Sequence, residues 1–279
     1  MGLRPQQNCF ASLRTFFALV LVLTLAGLSG CVTRTVDARG QVVTRSETKA
    51  PSDESETHKR SRIRLELASN YFEAGQTNVA LDEVRQALAI DANNPDAHNL
   101  RGLIYLQLND HAQAEESFRR ALALRPQDAS IVHNHAWLLC QQKHYAEADK
   151  QFERALSSPA YAARSKTLMA QGLCQERAGQ GIQAEATLLK AYELDARNPI
   201  IAYNLSSLLS QRGQNQRAQF YIRRLNNSEW ANAESLWLGI KIERALGDSV
   251  ALEQLAGQLG KRFPESREQS WYEQGIFNE

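Results

Sequence analysis

The chain has 279 residues, a formal net charge of +1 from 32 basic and 31 acidic side chains, and 43% hydrophobic content. That length suits one large or two small domains with a proper core, and that composition excludes a disordered or collagen-like polymer. Such balanced charge leaves no electrostatic footprint for nucleic acid and no like-charged binding tail, so DNA and RNA are discounted as partners.

The first thirty residues carry Arg4 and Arg14, no acid, and an apolar stretch from Phe16 to Leu28. This is the layout of a secretory signal peptide, and the run is too short for a transmembrane helix, which needs about 20 apolar residues. The stretch "LSGC" at 28–31 resembles the bacterial lipobox, in which cleavage falls before the cysteine and that cysteine receives the lipid. Cys31 would then open the mature chain. Small Ser29 and Gly30 let an extended backbone enter a peptidase, and a thiol is the nucleophile that can take a thioether lipid. The competing reading is a plain secretory signal with an incidental cysteine. Several acyl chains on Cys31 would hold the protein at a bilayer essentially permanently. Val32 follows, and the absence of aspartate there resembles default sorting of lipoproteins to the outer membrane, on its periplasmic face.

Residues 32–60 have no aromatic side chain and no helical apolar period. They cannot offset the entropy of ordering and are expected to form a flexible tether, with a mean span of roughly 30 Å. The expected organisation is therefore a leader over 1–30, a lipidated tether over 31–60 and a folded region over 61–279.

That region repeats itself. Ala80, Ala114, Ala148, Ala184, Ala218 and Leu252 fall at intervals of 34, 34, 36, 34 and 34. A second column, Ala68, Gly102, Ala136, Gly172, Ser206 and Ile240, places small residues at the eighth position of most units, and a third is Ala87, Ala121, Ala155, Ala191, Leu225 and Leu259. Gly75, Asn109, Gly179, Gly213 and Gly247 sit where a first helix must end, as residues that tolerate a left-handed backbone should. Three columns in one phase resemble the tetratricopeptide (TPR) repeat, and the unit at 95–128 fits that pattern best, with Gly102, Tyr105, Ala114, Phe118, Ala121 and Pro126 in register. The resemblance implies an all-α, right-handed superhelix of six helix pairs, over 61–94, 95–128, 129–162, 165–198, 199–232 and 233–266. The two extra residues fall in a longer loop near 157–164. The last two units carry bulkier residues in these columns and are expected to pack differently. A final helix over 267–279 is expected to cap the open end with Trp271 and Tyr272.

In such arrays the first helix of each pair lines a concave face, with the second, fifth, ninth, twelfth and thirteenth residues of the unit turned inward. The apolar ones here include Leu65, Phe72, Leu103, Leu106, Trp137, Met169, Leu173, Tyr203 and Trp237. For any one of them, packing between adjacent first helices is an equal reading; taken together they point to a groove for an apolar peptide. Leu65 and Ser69 stand where chaperone-binding members carry the Lys and Asn that hold a partner's carboxylate, which excludes that mode.

His133, Cys140 and His144 are spaced to approach one helical face, but His144 falls in the interhelical turn and no further ligand completes a zinc site, so no metal is expected. Cys140 and Cys174 lie on neighbouring first helices. The expected compartment is oxidising, so a disulfide between them is open; helices pack about 8–10 Å apart and a disulfide needs Cα atoms within about 7 Å, which favours separate buried thiols. Arg212, Arg217, Arg223 and Arg224 read as a solvated face, with contact to a partner's acidic patch as the alternative. With no phosphate-cradling glycine loop, no nucleophile elbow and carboxylates scattered at solvated positions, no enzyme, no cofactor beyond the lipid and no small-molecule substrate are expected.

Two stretches, "NHAWLLCQQKHYAEADKQFERAL" at 134–156 and "AESLWLGIKIERALGD" at 233–248, the latter followed by "RFPESRE" at 262–268, together with the lipobox and six units, resemble the outer-membrane pilotin lipoproteins of type IV pilus biogenesis, the PilF/PilW family. The resemblance implies a protein that grips the pilus secretin subunit and promotes its outer-membrane assembly, although this tether is longer than such a protein needs. The competing expectation is a general periplasmic scaffold that recruits cell-wall hydrolases or outer-membrane assembly factors.

Overall fold

The computed structural model describes residues 55–278, in which thirteen α-helices and no strand occur. Twelve of them form six antiparallel pairs: α1 (Glu56–Glu73) with α2 (Thr77–Ile90), α3 (Pro95–Gln107) with α4 (His111–Leu124), α5 (Ala129–Gln141) with α6 (Tyr145–Leu156), α7 (Arg164–Arg177) with α8 (Gly181–Leu194), α9 (Pro199–Gln211) with α10 (Asn215–Asn226), and α11 (Ala233–Leu246) with α12 (Ser249–Arg262). A short α13 (Arg267–Glu273) packs against the last pair. Each helix packs on its pair partner and on the next unit, which makes a superhelical stack. The leader, Cys31 and the tether up to residue 54 lie outside the described residues.

Local chemistry sets the helix ends. Asn94 and Asn198 accept hydrogen bonds from the next two free amides, and a proline follows each at the first helical position, where its missing N–H costs nothing. Asp128 likewise caps two amides, Asp110 and Asp248 cap one each, and Asn232 forms a capping box with Ser235. Inside each pair the first helix stops at one left-handed residue, and the amide after it reaches back, as from Asp110 to the carbonyl of Tyr105 at 2.9 Å. Glycine fills this position in four units and Asn109 in one; in the third it is Lys143, at φ 65°, a turn that carries no glycine signal in the sequence.

The alanine columns explain the stack. Ala80, Ala114, Ala148, Ala184 and Ala218 are wholly buried, as are Ala87, Ala121 and Ala191 in the parallel column. At the eighth position the closeness is measurable: a Cβ on Gly102 would lie 2.6 Å from the Phe118 ring, and one on Gly172 2.7 Å from Leu188 Cγ. Ser206 fits the same slot and donates its hydroxyl to the Ala218 carbonyl at 2.9 Å, so its polar group is satisfied. In the sixth unit Ile240 is core, and the close approach moves one residue back to Gly239, where a Cβ would meet Asn226 and Leu255. The expected difference in packing there is thus a one-residue shift of the contact. Fully buried Phe118, Phe152, Leu188, Leu205 and Ile222 fill the space between helix layers, each contributing about 1.5–3 kcal/mol by burial.

Several boundaries differ from the sequence reading. The first helix begins at Glu56 and not at 61, because the Ser55 hydroxyl caps it through the His58 amide at 3.2 Å and His58 Nδ1 lies 3.1 Å from Asp91. The last helix ends at Glu273 and not at 279, since Gly275 turns left-handed at φ 70° and the following residues fold back. The long connection falls between Leu156 and Arg164.

Cys140 and Cys174 form a disulfide, with Cα atoms 5.8 Å apart, which decides between the two alternatives against the favoured one of separate thiols. The average spacing of helix axes misled: small residues on both helices bring these two side chains closer than the axes, and Ala136, Cys140, Ala170 and Cys174 share one cluster.

Candidate protein-binding groove

Side chains from four consecutive first helices meet in one concavity of about 410 Å³. Phe72 comes from α1, Leu103 and Leu106 from α3, Trp137 from α5, and Met169 and Leu173 from α7. All six are half-buried, so each packs on one side and presents apolar surface on the other. Arg177 holds its guanidinium carbon 4.9 Å from the centre of the Trp137 ring, which fixes the indole by cation–π attraction. Asn134 donates to Asn99 at 2.9 Å and ties α5 to α3 along the rim.

The remaining lining, polar apart from Ala170, was missed chiefly because only apolar residues were sought. Applied to every residue type, the same register finds Lys166 at the second position, His133 at the fifth, and Gln107 and Gln141 at the thirteenth. Asn134 and Ala170, at the sixth position, carry no such signal.

His133 is 6% exposed and shares a 2.9 Å hydrogen bond with the buried Thr167 hydroxyl, which in turn pairs with Tyr161 at 2.8 Å. This chain of contacts crosses from the third to the fourth unit and pins the long connection. Burial, reinforced by Lys166, lowers the imidazole pKa to about 4, so it is neutral at pH 7. With Cys140 in a disulfide and His144 at the start of α6, the three residues weighed as metal ligands do separate work. No cluster of three His, Cys, Asp or Glu side chains able to hold a metal occurs among the described residues.

Three predicted groove residues lie outside this pocket. Leu65 packs into the core of the first two units, and Tyr203 is half-buried against the cluster of the fourth and fifth. Trp237 is a correction: at 3% exposure it is core, covered by Trp271 and Phe277. The four arginines of the cluster, Arg212, Arg217, Arg223 and Arg224, are all exposed, and the first three also pair with acids of neighbouring units. Arg212 and Arg217 both bind Glu185, and Arg223 bonds the fully buried Glu243 at 2.7 and 2.9 Å and Asp248 at 3.0 Å. These arginines join neighbouring units, and Glu243 shows that not every carboxylate sits at a solvated position.

Helix pairs at a 34-residue period around an apolar concavity define a tetratricopeptide array of the protein-binding kind. The tetratricopeptide repeat model matches residues 65–129. The type IV pilus assembly protein PilF of Pseudomonas aeruginosa is 26% identical over 254 residues, covering 91% of this chain and 96% of the relative. The crystal structure of PilW, a widely conserved type IV pilus biogenesis factor, superposes with a TM-score of 0.70 at 31% identity, over 76% of this chain and 97% of that one. The structure of Pseudomonas aeruginosa PilF gives a TM-score of 0.68 at 25% identity, over 79% and 100% of the two chains. The chain belongs to the PilF/PilW family of tetratricopeptide type IV pilus biogenesis proteins. That is a family of protein-interaction scaffolds.

Proposed function

We propose that this protein is a pilotin: an outer-membrane lipoprotein, lipidated on Cys31 and facing the periplasm, that binds the type IV pilus secretin subunit and promotes assembly of its multimer. The observation that carries the reading is the apolar pocket spanning four first helices around Trp137, in a chain of this family. An extended apolar segment of the secretin would lay alternate side chains against Phe72, Leu103, Trp137 and Met169, while Asn134, Gln107 and Gln141 hydrogen-bond its backbone. Covering that segment keeps it from aggregating before assembly. Lipid chains on Cys31 confine both partners to one surface and raise their effective concentration. Binding is then the whole activity.

The test is recovery of the secretin with the protein from detergent-solubilised membranes, read beside the secretin multimer. Trp137→Ala removes a large aromatic anchor, for which about 2 kcal/mol, or roughly thirtyfold weaker binding, is expected. Cys31→Ser is expected to release the protein from the membrane fraction and leave the secretin monomeric. Undiminished recovery with Trp137→Ala removes the pocket from the account. Recovery of cell-wall hydrolases with no secretin replaces the pilotin by a general scaffold.

A further inference from the structure

The concave face does not end at the Trp137 pocket. In the sixth unit the fifth, ninth and twelfth residues, the inward positions of its first helix, are Trp237, Lys241 and Arg244. A segment of the same chain, Gly275 to Phe277, occupies them. After α13 the left-handed Gly275 reverses the backbone, the Ile276 amide bonds the Trp271 carbonyl at 2.9 Å, and Phe277 lands on Trp237. The two rings stack with centroids 5.3 Å apart and planes 23° from parallel. The Arg244 guanidinium carbon stands 3.8 Å from the centre of the Phe277 ring, Lys241 Nζ stands 5.7 Å from that of Trp237, and Tyr272 meets Phe277 edge-on.

A ring held between an indole face and a guanidinium is how a groove grips a guest aromatic side chain. The segment that supplies it is weakly held otherwise: Gln274, Gly275, Ile276 and Asn278 are exposed, and Phe277 itself is half-buried. A segment with so little buried side chain opens readily. Trp237 thus stands at an inward position of the register, with Phe277 and Trp271 both covering its ring.

We propose that the concave face of the sixth unit is a second peptide-binding site, held shut by the protein's own Phe277, which takes a partner segment presenting an aromatic side chain beside an acidic group. The acidic preference follows from two nearby cations, Arg244 over the Phe277 ring and Lys241 over the Trp237 ring. The tail reads Phe277, Asn278, Glu279 and so carries that pattern in its own sequence. The proposal rests on the reading that the concave face binds protein, and on neither the secretin nor the lipid. A tail tethered a few residues away competes at an effective concentration in the millimolar range, so a partner opens the site only when presented at comparable local concentration or with added contacts along the groove.

The probe is the fluorescein-labelled hexapeptide QGIFNE, residues 274–279, titrated by anisotropy against the purified full-length protein in detergent. Against two variants, Phe277→Ala and a chain ending at Gln274, it is expected to bind at least tenfold more tightly than against the unaltered chain. Replacing the peptide's phenylalanine by alanine is expected to abolish binding, and Arg244→Ala in the shortened chain to weaken it at least threefold. Where shortening lowers helical circular dichroism, Phe277→Ala in the full chain carries the comparison. Equal binding to altered and unaltered chains, absence of binding to both variants, or indifference to the peptide's phenylalanine overturns the proposal and leaves the Trp137 pocket standing on its own test.

Discussion

Cys140 and Cys174, one repeat apart at a separation of 34 residues, are bridged across the first helices of the third and fourth units. Both are buried, and the bridge lies behind the stretch of groove formed by Trp137 and Leu173. Closing a loop of that length restricts the unfolded chain by about 3–4 kcal/mol in the chain-entropy account. Cys140→Ala with Cys174→Ala, or reduction with dithiothreitol, is expected to lower unfolding stability in urea by about that amount. An unchanged midpoint would mean that the bridge constrains nothing the stack does not already hold.

Acid is expected to loosen the same junction. His133 titrates near pH 4 in the folded state and near 6.5 when unfolded, so between those values the unfolded chain binds more protons. The stabilising difference is complete above pH 6.5 and is lost as pH falls towards 4, by about 3 kcal/mol. Burial lowers the His98 pKa in the same direction. Thermal unfolding measured from pH 7 to pH 4 is expected to fall more steeply for the parent chain than for His133→Asn, which lacks a titrating ring. Parallel curves would remove His133 as the cause.

The Arg223–Glu243 pair makes a third prediction. Glu243 is fully buried and accepts from Arg223 and from Gln219 at 2.7 Å, while the Arg223 side chain is 44% exposed. Arg223→Ala strands a buried carboxylate with one amide partner and is expected to cost about 2 kcal/mol, less than a fully desolvated pair because water reaches the vacated side. Adding Glu243→Leu removes the stranded charge and is expected to restore most of the loss. A double variant no more stable than the single one would contradict this.

Lys143 offers a gain. It adopts φ 65° where four other units place glycine, and a side chain there costs about 1–2 kcal/mol, against about 0.5–1 kcal/mol of extra unfolded-state entropy for glycine. Lys143→Gly is expected to stabilise the third unit by about 0.5–1 kcal/mol, and Gly213→Ala, at φ 73°, to destabilise the fifth by about as much. Thermal unfolding of the two variants checks both signs.

How far the sequence reaches is visible in particular residues. Alanine at one position per unit requires a neighbouring helix at that spot, so Ala80, Ala114 and Ala148 report packing directly, and Gly75 and Gly213 report turns directly. Lys143 reports nothing, because its left-handed conformation is imposed by the helices on either side. The groove register located Phe72, Leu103, Leu106, Trp137, Met169 and Leu173 in one pocket, yet it could not separate them from Leu65 and Tyr203, whose neighbours differ.

What the sequence determined alone is the period: side-chain volume at 34-residue intervals dictates helix pairs, all their inner turns but that at Lys143, and the face each first helix turns inward, because these depend on local backbone geometry and nearest-neighbour packing. Only the tertiary structure decided the contacts between residues far apart in the chain or set by sub-ångström approach. These are the Cys140–Cys174 bridge, the burial of Glu243 under Arg223, and the covering of Trp237 by Phe277. Each depends on where two surfaces meet in space, and residue spacing along the chain carries no such distance.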